Sequence, residues 1–171
     1  MFARLYRAAS SLAVIFFSIT VLAFSPIQAT AGEYAALTGV KGLDSVFDFS
    51  LGSSKMATLV FPAILDVHQN QEVRALPAPP RTVIVFHGKA VMFLSTDRKG
   101  GAKEELEDYD KVADLIRKAK KAGIKMEVCM YAVKVLGVDP ATLMPEIDRV
   151  GNGFISVLGY QAQGYAVEVV P

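Results

Sequence analysis

The order of apolar and polar positions along the chain predicts an alternation of strands and helices. Strand-like segments occur at residues 46–49, 82–86, 125–129, 148–150 and 165–170, and all of them except 148–150 are apolar or alternate between apolar and polar residues. Residues 82–86 are apolar without alternation, which is typical of a strand covered on both faces of a parallel sheet. Helical spacing of apolar residues occurs at residues 54–73, 104–122, 131–136 and 154–163, with shorter helices at 90–94 and after Asp139.

The repeated strand–helix pattern predicts an α/β fold. We expect a mostly parallel, five- to six-stranded sheet with helices on both faces, formed by one domain over residues 45–171. Residues 32–44 are small and polar and are predicted to be an extended lead-in. Pro62 falls inside the helix at 54–73, where we expect a kink or a late helix start.

The first 31 residues have the pattern of a secretory signal peptide. Arg4 and Arg7 precede an apolar stretch at residues 12–24, and a small-residue cleavage site ends at Ala31. The apolar stretch is shorter than the roughly 20 residues of a spanning helix. We therefore predict cleavage near Ala31 and a periplasmic or secreted protein, without a membrane span unless this segment is retained as an anchor.

Composition and charge indicate a folded domain and argue against nucleic-acid binding. A hydrophobic content of 52% with 20% charged residues is enough for a packed core. Removal of residues 1–31 takes away two arginines and no acidic residue, which leaves a net charge of about −1. A domain without excess positive charge is not expected to bind nucleic acid.

Cys129 is the only cysteine of the chain, and it ends one predicted strand just before a predicted helix. Ligands of open α/β sheets gather at the carboxyl ends of the strands, and the positive end of a helix favours a thiolate. A lone cysteine is otherwise a small buried hydrophobe or an intermolecular link. Position alone leaves these interpretations open.

His87 ends another predicted strand and is the second candidate site residue. It is either a base or cationic neighbour of Cys129, or a strand-end histidine bonded to the backbone. His68 is interpreted as a solvated residue at a helix end. Two histidines and one cysteine without ligand spacing predict no metal site, and no cofactor is expected.

Two other polar segments carry weaker signals. Residues 97–101 contain a glycine pair but lack the pattern of a phosphate-binding loop. Tyr160, Gln161, Gln163 and Tyr165 either line a polar pocket or mark a helix end and a strand start, and the second interpretation is preferred.

Four segments in order resemble the DsrE/DsrF-like family. They are His87-Gly88-Lys89-Ala90-Val91 after the strand at 83–86, the strand at 122–129 that ends in cysteine, Val150-Gly151-Asn152-Gly153, and residues 160–166. The resemblance covers about residues 46–171. It implies a DsrE-like sandwich with flavodoxin-like layering, and a homo-oligomer, either trimer or hexamer.

The resemblance also implies a function, because relatives pass sulfur between cysteine persulfides. The sulfur-accepting position of the family falls on Cys129, whereas His87 matches a motif position without an assigned role. Many relatives have asparagine two residues after the cysteine, where this chain has Tyr131. We expect a sulfurtransferase-like carrier that takes sulfur from a small compound and passes it to a partner thiol, outside the cytoplasm rather than in tRNA thiolation.

Two alternatives remain from the sequence. The first is a non-enzymatic oligomeric binding or scaffold module in which Cys129 is a buried structural residue. The second is a redox sensor that dimerises through Cys129. Because the chain has no second cysteine, a persulfide on Cys129 would need a resolving thiol from another molecule.

Overall fold

The computed structural model describes residues 33–97 and 103–171. The strands are β1 Ser45–Phe49, β2 Thr82–Phe86, β3 Lys125–Cys129, β4 Asp148–Val150 and β5 Ala166–Val170. The α-helices are α1 Ser54–Gln69, α2 Gln71–Arg74, α3 Lys103–Ala122, α4 Met130–Val135 and α5 Gly153–Ala162, and 3-10 turns cover Ala35–Leu37, Gly88–Leu94 and Pro140–Thr142.

The five strands form one sheet in the order β4-β3-β2-β1-β5, and every pair is parallel. The predicted α/β fold is therefore confirmed. The strand count is the lower of the two expected values. The chain moves outward from β1 to β4 and then returns to place β5 on the other side of β1.

Helices cover the two faces of the sheet unequally. One face packs against α1, α3 and α4 in a core that includes Phe49, Phe61, Phe86, Ile116 and Val133. The opposite face carries α5 and a smaller core, formed by Val46, Val83, Val85, Val157 and Tyr165. Because side chains alternate across a strand, the residues at even positions of β1 and odd positions of β2 and β3 point towards α5.

The predicted helix at 54–73 is in fact two helices. Ser53 caps α1, since its side chain accepts a hydrogen bond from the Met56 N–H, and Pro62 lies inside α1 without ending it. The expectation that the helix starts late, at Pro62, was therefore wrong. The side chain of Asn70 accepts hydrogen bonds from two backbone N–H groups of α2 and starts that second helix.

The remaining differences are local. The helix predicted at 90–94 is a 3-10 helix over Gly88–Leu94, and the lead-in contains a 3-10 turn at Ala35–Leu37. The predicted signal peptide and most of the glycine-containing segment at 97–101 lie outside the described residues. Within the described ranges, no helix has both the length and the apolar character needed to cross a membrane.

Candidate functional site

A crevice opens where the chain changes faces of the sheet. The chain leaves β3 into α4 on the face of the larger core, whereas it leaves β4 into α5 on the opposite face. In open parallel sheets such a change of direction separates two loops at the carboxyl ends of adjacent strands and creates a binding crevice. Cys129 ends β3 and Gly153 begins α5, so both lie at this point.

Cys129 lies beneath the first residue of α5. Its residue is only 4% exposed. A methyl group added at Gly153 would stand 3.0 Å from the Cys129 Cβ and 3.4 Å from the His87 Cβ. The two predicted site residues therefore lie on either side of one point, although β2 and β3 are separated by 38 residues of sequence between Phe86 and Lys125.

His87 is held by a carboxylate that the sequence analysis missed. Its Nε2 is hydrogen-bonded to Oδ1 of Asp48, and the two side chains are 13% and 20% exposed. The backbone N–H of His87 donates to the Phe49 carbonyl at 2.9 Å, as expected for a strand end. The interpretation of His87 as a backbone-bonded histidine thus describes its main chain but not its ring. Asp48 could have been noticed as an acidic residue within an apolar strand.

His87 and Cys129 both line a pocket of about 260 Å³ at the surface. The aromatic ring of Phe154 stands edge-on to the His87 imidazole, with 5.1 Å between the ring centres. Apolar side chains make up most of the wall, and the complete lining is His87, Gly88, Lys89, Cys129, Tyr131, Ala132, Val135, Leu136 and Phe154. The site therefore combines a thiol, an imidazole and an apolar wall.

The start of α5 is fixed above the thiol by two hydrogen bonds. The Asn152 side chain accepts from the Phe154 N–H at 3.0 Å and caps α5. The Tyr131 N–H donates to the Gly151 carbonyl at 3.0 Å and ties the start of α4 to the loop before α5. The N-terminal end of α5 therefore lies at the crevice, next to the thiol.

A buried carboxylate, Glu127, lies two residues before Cys129 on the same face of β3. Glu127 accepts hydrogen bonds from Lys125 Nζ at 2.9 Å and from the Tyr160 hydroxyl at 2.7 Å. Burial acts to raise the pKa of Glu127, but the hydrogen bonds from Lys125 and Tyr160 outweigh it and the net pKa is lowered. Because its hydroxyl donates to Glu127 in β3, Tyr160 connects α5 to the sheet.

Tyr165 is buried, and its ring packs against the ring of Tyr160 with 5.1 Å between the ring centres, as expected for a helix end and a strand start.

The interpretation of His68 as a solvated residue was wrong. Its Nδ1 bonds to Thr82 Oγ1 and its Nε2 to the Ala122 carbonyl, both at 3.0 Å. The ring joins the end of α1 to β2 and to the end of α3, away from the pocket. Among the described residues, no group of three or more histidine, cysteine and acidic side chains is arranged to hold a metal ion.

Comparisons with known proteins found similar solved structures and a family match. A solved structure of a protein of unknown function from Methanobacterium thermoautotrophicum is 16% identical, with a TM-score of 0.58 over 74% of this chain and 98% of that one. The ychN protein from E. coli is 12% identical, with a TM-score of 0.47 over 75% of this chain and 97% of that one. No curated protein matches the sequence. The sequence matches the DsrE/DsrF-like family over residues 39–168, and the chain therefore belongs to that family.

Proposed function

We propose that this protein handles reduced sulfur and that Cys129 accepts a sulfane sulfur as a persulfide. The observation that carries the proposal is the position of the thiol: Cys129 borders a pocket of about 260 Å³ with His87, beneath the start of α5. A thiolate is the form that attacks sulfane sulfur, and His87 in the same pocket supplies a base for the thiol proton. Family membership supports the same chemistry.

The reaction needs no external oxidant. The Cys129 thiolate attacks the outer sulfur of a persulfide R–S–SH, a new sulfur–sulfur bond forms to Cys129, and the bond to the R–S group breaks. The R–S group leaves as a thiol after taking up one proton. Because Cys129 is the only cysteine of the chain, the thiol that later receives the sulfur belongs to another molecule, either a partner protein or a small compound.

Assembly and location belong to the same proposal. We propose a homo-oligomer, a trimer or hexamer, that acts in the periplasm or outside the cell after cleavage of the N-terminal segment. The outer surface of α5 supports self-association, because Ile155 and Leu158 are 69% and 63% exposed.

The alternative is a non-enzymatic oligomeric module in which Cys129 is structural. The observation that favours it is the 4% exposure of Cys129, which is typical of an inert core thiol. The two functions differ in whether small reagents reach the sulfur of the folded protein.

Mass spectrometry after incubation with an organic persulfide tests the proposal. We expect a gain of one sulfur atom, about 32 Da, that is absent from Cys129→Ser and is removed by a dithiol. Iodoacetamide labelling of native and urea-unfolded protein serves as a second measurement. A folded protein that takes up no sulfur, and whose thiol reacts only after unfolding, would support the structural module instead.

A further inference from the structure

We propose that Asp48 is a positioning residue that holds His87 with its proton on Nε2, so that Nδ1 exchanges a proton with sulfur at Cys129. This inference deepens the proposed function and rests on it. The three residues come from three adjacent strands: Asp48 lies in β1, His87 follows β2 and Cys129 ends β3.

Asp48 interrupts an apolar strand on the side that faces α5. Val46 on the same side of β1 is fully buried in the core beneath α5. A partly buried carboxylate is costly unless it is paired. Among the described residues, the Asp48 side chain has one hydrogen-bond partner, the His87 ring. The carboxylate is therefore dedicated to that imidazole and does not link other parts of the fold.

The pairing determines which ring nitrogen is free. A carboxylate only accepts hydrogen bonds, so Nε2 of His87 must carry a proton, and in a neutral imidazole Nδ1 then holds a lone pair. Nδ1 makes no hydrogen bond to any part of the chain that the structure describes, and the ring borders the pocket. The ring of Phe154 stands edge-on to the imidazole, with 5.1 Å between the ring centres.

His87 and Cys129 line one pocket, in which a bound sulfur compound would contact both residues. Both Cβ atoms lie within 3.4 Å of the point where a Gly153 side chain would begin. Within the described ranges no hydrogen bond joins the two side chains, and both line the same pocket. Catalytic hydrogen bonds of this kind often form only once substrate is present. Lys89 and Tyr131 are the other titratable residues of the pocket wall.

The proton follows a closed path in this arrangement. The Cys129 thiol transfers its proton to Nδ1 of His87, and the Asp48 carboxylate balances the imidazolium charge. The thiolate then attacks the outer sulfur of R–S–SH, and the departing R–S⁻ takes the proton from Nδ1. One sulfur has moved to Cys129, one thiol has been released, and the imidazole is neutral again.

Asp48→Asn tests the role with little change in shape, and Asp44→Asn is its matched control. Asp44 precedes the same strand but pairs with Arg81, outside the pocket. We expect Asp48→Asn to slow persulfide formation by at least about 10-fold, which is part of the roughly 100- to 10,000-fold effect of general acid–base catalysis, and Asp44→Asn to leave it unchanged. In the His87→Ala background, Asp48→Asn should cause no further slowing, because the carboxylate acts through that ring.

Histidine-selective ¹⁵N NMR tests the tautomer independently of sulfur transfer. The chain has two histidines, so His68 provides an internal reference in the same spectrum. We expect the Nε2–H form of His87 in the native protein and loss of that preference in Asp48→Asn, with slower iodoacetamide labelling of Cys129. A native protein that takes up no sulfur would overturn the proposed function alone. The role of Asp48 would be overturned if Asp48→Asn had the same His87 tautomer and the same Cys129 labelling rate as Asp44→Asn. It would also be overturned if Asp48→Asn caused further slowing in the His87→Ala background.

Discussion

Gly153→Ala probes the contact that brings α5 onto the site. The added methyl group would lie 3.0 Å from the Cys129 Cβ, 3.3 Å from Val85 Cγ1 and 3.4 Å from the His87 Cβ. Two of these three atoms are Cβ atoms attached directly to the backbone at strand ends, so they yield little. The start of α5 must therefore move away from the sheet to accept the methyl group.

The magnitude follows from two opposing terms. Replacing glycine with alanine at a compatible position gains about 0.4–1 kcal/mol from the smaller entropy of the unfolded chain. Overpacking a rigid contact costs about 1–3 kcal/mol. We therefore expect Gly153→Ala to lower the free energy of unfolding by about 1–2 kcal/mol.

Gly159→Ala is the matched control within the same helix. Nothing lies within 4 Å of the position where its methyl group would stand. This variant should gain about 1 kcal/mol from helix propensity. Urea unfolding followed by far-UV circular dichroism measures both changes, provided the slope with denaturant is the same in both variants.

The thiol reports the same movement. We expect Gly153→Ala to change the iodoacetamide labelling rate of Cys129, since the added methyl group contacts the Cβ atoms of both Cys129 and His87, whereas Gly159→Ala leaves the rate unchanged. Equal stabilisation of the two variants would refute the close packing of α5 on Cys129, and with it the geometry on which the site is built.

Two further variants test structural roles away from the thiol. Glu127→Gln should lower the free energy of unfolding at neutral pH, because folding lowers the pKa of Glu127. The stability that the Glu127 carboxylate contributes is fully present above the unfolded pKa of about 4.3, and it is lost as the pH falls through the folded pKa. Urea midpoints across this pH range should converge for Glu127→Gln and the native protein on acidification, whereas the exposed Glu168→Gln should match the native protein throughout. His68→Ala removes the hydrogen bonds to Thr82 and Ala122 and should cost about 1–3 kcal/mol without changing the thiol labelling rate; a slower labelling rate would contradict the separation of His68 from the pocket.

Local patterning along the chain predicts most of the strands and helices. The predicted strands at 82–86 and 125–129 coincide with β2 and β3, because local apolar patterning and turn residues specify where such strands begin and end. The same local reasoning placed Cys129 and His87 at strand ends. It failed at residues 54–73, where the Asn70 side chain competes for backbone N–H groups and divides one apolar pattern into two helices.

Which strand ends meet depends on the order of the strands in the sheet. The order β4-β3-β2-β1-β5 puts Asp48, His87 and Cys129 on three adjacent strands, and the return to β5 carries α5 across the opposite face. These pairings depend on contacts between residues that are distant in sequence. The spacing of side chains along one strand carries no information about which other strand lies next to it. The bond from Asp48 to His87 and the close approach of Gly153 to Cys129 follow from strand order and register, and local sequence does not encode either one.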